Sequence, residues 1–205
     1  DGDVIFTASA ADGSLNPNFS YTFRWRNGTI TVAQPAEETD PQTLSQAFGH
    51  DLTQLTTDNR WLASLRTGTI PNTTIDYGLT DGATRSSIFS FTNSGANCIF
   101  TSAPLAAANA NSVIAYYEVV QSAPLDGGRC ANEQGVSRAW SVKLAGAATG
   151  VIASGSSFEQ GNTYTGAELS SSSLFLLNNQ NQVAALRELY NSPTTFFPRR
   201  QLVVF

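Results

Sequence analysis

His50 is the only histidine in the 205 residues, so any Ser–His–acid relay would have to run through it. No Gly-x-Ser-x-Gly turn is present to expose a nucleophilic serine, and Gly155-Ser156-Ser157 lacks the flanks such a turn needs. A single histidine also leaves no His-rich metal set. The carboxylates Glu118, Asp126, Glu133 and Glu168 could serve the two-carboxylate chemistry of a glycoside hydrolase, but no spacing pairs them. Glu37-Glu38 and Asp40 form a charge run of the solvated kind. Asp76 and Asp81 flank Tyr77-Gly78 as a calcium loop would require, without the EF-hand spacing and its terminal glutamate. No phosphate-cradling glycine motif occurs. Trp25, Trp61 and Trp140 could line a sugar site, and the expectation for each is a place in the core. These residues predict no catalytic residue, no cofactor and no metal.

Cys98 and Cys130 are the two cysteines. Their spacing excludes a CxxC metal or redox motif, and in an exported chain an even count favours a disulfide. Closing a loop of that size stabilises by roughly 3–4 kcal/mol if it is unstrained. Asn18-Phe19-Ser20, Asn27-Gly28-Thr29 and Asn72-Thr73-Thr74 are glycosylation sequons, which matter where the host glycosylates exported proteins.

The elements that must position these residues read mostly as strands. Residues 3–10 are β-branched and aromatic and run to an Asp12-Gly13 turn. Tyr21, Phe23 and Trp25 alternate with Thr22, Arg24 and Arg26, and Asn27-Gly28 signals a hairpin back through Thr29-Ile30-Thr31-Val32. Leu44, Ala47, Phe48, Asp51, Leu52 and Leu55 have helical spacing, which places His50-Asp51 on a helix. Asp40-Pro41 would start that helix, and a second short one is expected over 58–65. Further strands are expected at 87–92, 98–102, 113–120, 138–144, 150–153, 174–177, 183–189 and 201–205. Turns between them fall at Asp81-Gly82, Asp126-Gly127-Gly128, Gly146 and Asn178-Asn179. The serine run 170–173 reads as a solvated loop. The segment at 4–10 echoes the one at 98–104, as equivalent strands of a repeat would. The prediction is a mainly β fold of antiparallel sheets, as propeller-like blades or a β-sandwich, with one or two short helices around residues 43–66. It forms a single β-rich extracellular domain over 1–205, or a piece of a larger protein.

Charged residues make up 13% of the chain, about half the usual ~25%. Polarity comes instead from Ser, Thr, Asn and Gln, as is common outside the cell. The net charge of -5 and the lone Lys143 exclude a basic nucleic-acid footprint, since Arg199-Arg200 is the only basic doublet. No apolar run reaches the 18 or so residues of a membrane span. The chain begins at Asp1 and contains no methionine, which predicts a mature, processed or excised segment and is consistent with export.

A set of short motifs resembles a known family. The first group is Ile5-Phe6-Thr7, Phe23-Arg24-Trp25 and Leu62-Ala63-Ser64-Leu65-Arg66-Thr67-Gly68. The second is Thr101-Ser102-Ala103-Pro104-Leu105, Gly127-Gly128-Arg129-Cys130, Gly135-Val136-Ser137-Arg138-Ala139-Trp140-Ser141-Val142-Lys143-Leu144 and Thr149-Gly150, with Arg199-Arg200 near the end. Together they resemble the carboxy-terminal β-propeller region of the PilY-type proteins, which sit at the tip of type IV pili and act in pilus biogenesis and adhesion. The resemblance implies a non-catalytic extracellular or cell-surface protein. Its partners would be other pilus or surface-filament subunits, or a host or surface ligand. The family's aspartate-rich calcium loop has no counterpart here, so no calcium ligand carries over. Two other readings follow from the residues. The terminal strands at 3–10 and 201–205 could join neighbouring copies into a filament by strand exchange. The unpaired carboxylates leave a secreted carbohydrate-active hydrolase.

Overall fold

Asn27 and Gly28 adopt φ of 49° and 82°, the positive values a two-residue hairpin turn requires, and they join the first sheet as expected. The computed structural model describes residues 4–9, 20–32, 46–51, 56, 60–69, 72–81, 84–161, 163–170, 174–190 and 198–205. β1 (Val4–Ser9), β2 (Ser20–Arg26) and β3 (Thr29–Val32) form a three-stranded antiparallel sheet in chain order. Phe6 and Phe23 stack on it with ring centroids 5.6 Å apart.

β4 (Gln46–Asp51), β5 (Trp61–Thr69), β6 (Asn72–Thr80) and β7 (Arg85–Thr92) make a four-stranded meander. This corrects the helices expected around residues 43–66. His50 and Asp51 lie on β4, opposite Ala63 and Leu62, and the segment expected to be helical over 58–65 contains the start of β5. The physical reason is burial. Trp61, Leu62 and Ala63 are consecutive and all buried, which suits a strand covered on both faces but not a short helix with one apolar stripe. Residues 41–45 and 52–55 lie outside the described residues.

The remaining strands build one nine-stranded sheet and a small ribbon. They are β8 (Ser94–Ala96), β9 (Ile99–Ala108), β10 (Val113–Ser122), β11 (Leu125–Asp126), β12 (Arg129–Cys130), β13 (Val136–Gly146), β14 (Gly150–Gln160), β15 (Thr163–Leu169), β16 (Phe175–Leu177), β17 (Val183–Tyr190) and β18 (Arg199–Val204). Every recorded pairing is antiparallel. Among the described residues β11 and β12 pair only with each other. β15 and β16 pair with different stretches of β17, and β18 also joins β17. The echo between 4–10 and 98–104 does not mark equivalent places: β1 is an outer strand of three, β9 an inner strand of nine.

β10 is the centre of the layering. Val113 to Tyr117 are buried without interruption, because the strand is covered on both faces. Ile114 and Tyr116 face the four-stranded sheet, packing with Leu62, Ile75, Leu79 and Phe91. There Phe89 stacks on Tyr116 at 4.4 Å, and the Tyr77 hydroxyl donates to the Ala103 carbonyl at 2.9 Å. Val113, Ala115 and Tyr117 face the other way, into a second core with Trp140, Val142, Leu169, Phe175 and Val183. Val203 and Phe205 close that core from β18 and the residue after it. The first core thus lies between the four-stranded and nine-stranded sheets, whereas the buried residues of the second all belong to the nine-stranded sheet.

Two polar knots tie these layers. Asn109 is fully buried at the β9–β10 turn; its amide nitrogen donates to the Asn178 carbonyl and to Asn181 Oδ1, both at 3.0 Å. Its side-chain oxygen accepts the Asn111 and Val113 amides, so all its bonding capacity is used across two hairpin turns. The second knot is Asp76 on β6. It pairs with Arg85 and accepts from Ser87 at 2.5 Å and Ser90 at 2.9 Å. Burial alone would raise its carboxyl above the ordinary 3.8; the hydrogen bonds from Ser87, Arg85 and Ser90 and the Arg85 charge outweigh it and lower the value. A depressed folded value contributes stability that is fully present above the unfolded value. That stability is lost as pH falls through the folded one. The gap in urea midpoint between wild type and Asp76→Asn is therefore expected to be constant above about pH 5 and to shrink as pH is lowered below about 4. A gap independent of pH down to the acid transition would sink this assignment.

Candidate functional site

The richest polar grouping among the described residues sits on β10, β13, β14 and β15, and the pairing register explains both of its faces. Gln121 lies opposite Arg138, Arg138 opposite Ser157, and Ser157 opposite Gly166, with Glu159 opposite Tyr164 two residues along. Period-two alternation puts these side chains on one face. Arg138 Nη2 donates to Glu159 Oε2 at 2.7 Å, Nη1 to Glu168 Oε1 at 3.3 Å, and Nε to Gln121 Oε1 at 3.3 Å. Ser157 Oγ donates to Glu168, and the Tyr164 hydroxyl to Glu159 Oε1 at 2.6 Å. Tyr164 stacks on Tyr190 at 5.3 Å, and Tyr190 donates to Glu188.

Burial opposes ionisation of Glu159, but the Tyr164 hydroxyl and Arg138 outweigh it and hold the carboxyl below its ordinary 4.5. A general acid at neutral pH needs the opposite shift. The Arg138 guanidinium is likewise held above its ordinary value: burial lowers it, and the two glutamates more than compensate.

The other face of the same strands is a groove of about 340 Å³. Ser122 pairs with Ser137, Ser137 with Phe158, and Phe158 with Thr165, giving one row across four strands. Val120, Ala139 and Ser156 form the next row. Phe158 is 36% exposed, and its ring lies directly over Gly135, where a Cβ would collide with it. Glycine at 135 thus lets the ring lie down against the backbone as one wall of the groove. Among the described residues the hydroxyls of Ser122, Ser137, Ser156 and Thr165 take no hydrogen-bond partner, unlike that of Ser157.

The residues singled out from the sequence are mostly elsewhere. Cys98 and Cys130 form a disulfide with Cα atoms 5.4 Å apart, joining the β8–β9 turn to β12. Glu118 pairs with Lys143 at 2.7 Å, Asp126 and Glu133 are exposed, and Glu168 alone of the four enters the Arg138 cluster. Asp76 is tied to Arg85, while Asp81 accepts from Thr84 across the β6–β7 turn. No group of three or more metal-ligating side chains occurs among the described residues. Asn27 is exposed on its turn, Asn72 opens β6, and Asn18 lies outside the described residues. Trp61 and Trp140 are in the core, whereas Trp25 is 38% exposed. Arg200 donates to Glu188 at 3.0 Å. Ser170 is buried, and 171–173 lie outside the described residues. No helix among the described residues is long and apolar enough to cross a membrane.

Sequence reasoning placed Arg138 on a strand without a partner, and missed Glu159, Tyr164 and Phe158 because it ended the strand that carries Phe158 at residue 153. The signal was there: Gly161-Asn162 is a two-residue hairpin pair, which extends β14 to Gln160 and creates β15. Compared with family models, with curated proteins and with solved structures, the chain finds no match in any of the three.

Proposed function

We propose that the chain is an extracellular, pilus-associated or adhesive surface protein that acts by binding rather than by catalysis. The observation that carries this reading is the pairing of an open groove with a cluster whose charges are already spent. Arg138 is bonded to Glu159 and Glu168, and Glu159 is held as an anion, while the hydroxyls of the groove are uncommitted. The Cys98–Cys130 bond supports an oxidising compartment.

Both competing readings have less support. A filament built by strand exchange needs a terminal strand to donate. β1 pairs with β2 from Val4 to Ser9, and β18 pairs with β17 while Val203 and Phe205 fill the second core. Releasing β18 would open that core. A two-carboxylate hydrolase needs one raised and one ionised acid, and the carboxylates nearest the groove are bonded to Arg138 instead.

Immunogold labelling of intact cells tests the reading. Label on the outer surface or on pili is expected. Label that appears only after permeabilisation, with both cysteines reduced, would overturn it.

A further inference from the structure

An adhesive protein needs a ligand chemistry, and the groove on β10, β13, β14 and β15 specifies one. Resting on the adhesive reading above, we infer that this groove binds a short, uncharged saccharide. Ser122, Ser137 and Thr165 come from three different strands, and Ser156 from a fourth between them. Neighbouring strands lie about 4.8 Å apart, so the hydroxyls form a grid fixed by backbone pairing rather than by flexible side chains. None is satisfied within the described protein, so each is free to donate to and accept from a sugar hydroxyl.

Phe158 supplies the second half of the chemistry. A pyranose ring has an apolar C–H face as well as a rim of hydroxyls. The partly exposed Phe158 ring, braced against Gly135, offers that face a flat and preorganised wall. An aromatic wall with a few placed polar groups is the general make-up of a small-ligand site.

Charge sets the limit on the ligand. Among the described residues Arg138 is the one charged residue at the groove, and its side chain lies on the opposite face of the strands, bonded to Glu159 and Glu168. An anionic ligand would find no free cation there among the described residues, and the net charge of -5 disfavours its approach. The volume of about 340 Å³ lies at the small end of the ~300–1,000 Å³ typical of ligand sites, room enough for a short saccharide.

The test is titration of the isotopically labelled 205-residue chain, followed by amide NMR shifts. The probes are the methyl glycosides of glucose, galactose and mannose, with lactose, and sialyllactose as the charged control. Saturable shifts at Ser137, Ala139, Ser156 and Phe158 are expected with at least one neutral probe. Phe158→Ala should weaken that binding by about tenfold, and Phe158→Tyr, which keeps the ring, should retain it. Thr165→Val removes one hydroxyl at constant shape and should also weaken binding. Three results would overturn the inference: no shift on these strands with any neutral probe, binding unchanged in Phe158→Ala, or tighter binding of sialyllactose than of lactose. Adhesion to cells is measured in parallel. Adhesion that survives both Phe158→Ala and periodate oxidation of surface sugars overturns the saccharide site and leaves the adhesive reading standing. Saccharide binding without adhesion overturns the adhesive reading alone.

Discussion

Replacing Trp140 with alanine is expected to lower the free energy of unfolding by about 3–5 kcal/mol. The residue is 6% exposed and stands where three parts of the nine-stranded sheet meet. Its ring covers Gly155 so closely that a Cβ there would lie 2.5 Å from Cζ2. It faces Tyr117 on β10 at 6.0 Å and Phe205 beyond β18 at 6.4 Å. Its indole N–H donates to the Ala167 carbonyl at 2.6 Å, just past Gly166, the last residue of β15 to pair with β14. Alanine would therefore leave a cavity and an unpaired carbonyl together. Trp140→Phe should fall between wild type and alanine, since it keeps much of the volume but strands the carbonyl, a loss of about 1–3 kcal/mol. Urea unfolding followed by far-ultraviolet circular dichroism measures both. An alanine variant within about 1 kcal/mol of wild type would mean that the site relaxes around the loss, or that the carboxy-terminal strands are anchored elsewhere.

Removing the disulfide is the second large effect. Cys98 and Cys130 are separated by 32 residues, and the chain-entropy model assigns a cross-link of that span about 3–4 kcal/mol. In a chain of this size that corresponds to a melting temperature lower by roughly 6–16 °C. The bond holds the connection between β10 and β13, where the Ala123 amide donates to the Cys98 carbonyl and the Ala131 amide to the Pro124 carbonyl. That connection ends at Gly135, the residue beneath Phe158. The double variant Cys98→Ala/Cys130→Ala, compared with wild type by calorimetry, should show the full decrease. Equal melting temperatures would remove the cross-link from any account of this fold's stability.

Several elements were legible residue by residue. The alternation of Phe23 and Trp25 with Arg24 and Arg26, followed by Asn27-Gly28, is sufficient for the first hairpin, because the turn needs two positive φ values and few residues supply them. Asp126-Gly127-Gly128 marks the β11–β12 turn for the same reason. The run over 113–120 reads as a strand, and the structure makes its buried half, Val113 to Tyr117, the centre of both cores.

Other elements were misread for a physical reason. The spacing of Leu44, Ala47, Phe48 and Leu52 is helical, but β4 pairs with β5 through 46–51, and the buried Trp61-Leu62-Ala63 anchors β5 from both sides. Periodicity measures one-sided exposure, so it fails wherever an element is covered on two sides or its partner strand is distant in the chain. The candidate site fails in a related way. Arg138, Glu159 and Glu168 are far apart in sequence and meet only because three strands pair in one register.

Local composition therefore determined the class of this protein: a low-charge, disulfide-bonded chain of antiparallel strands with its turns at Gly and Asn. Turn geometry and side-chain alternation act over a few residues, so they can be read directly. Tertiary structure alone decided which carboxylates are neutralised, which hydroxyls stay free, and that Phe158 lies over Gly135. Those outcomes depend on strand register and on the stacking of sheets, and both follow from burial summed over the whole chain rather than from any one segment.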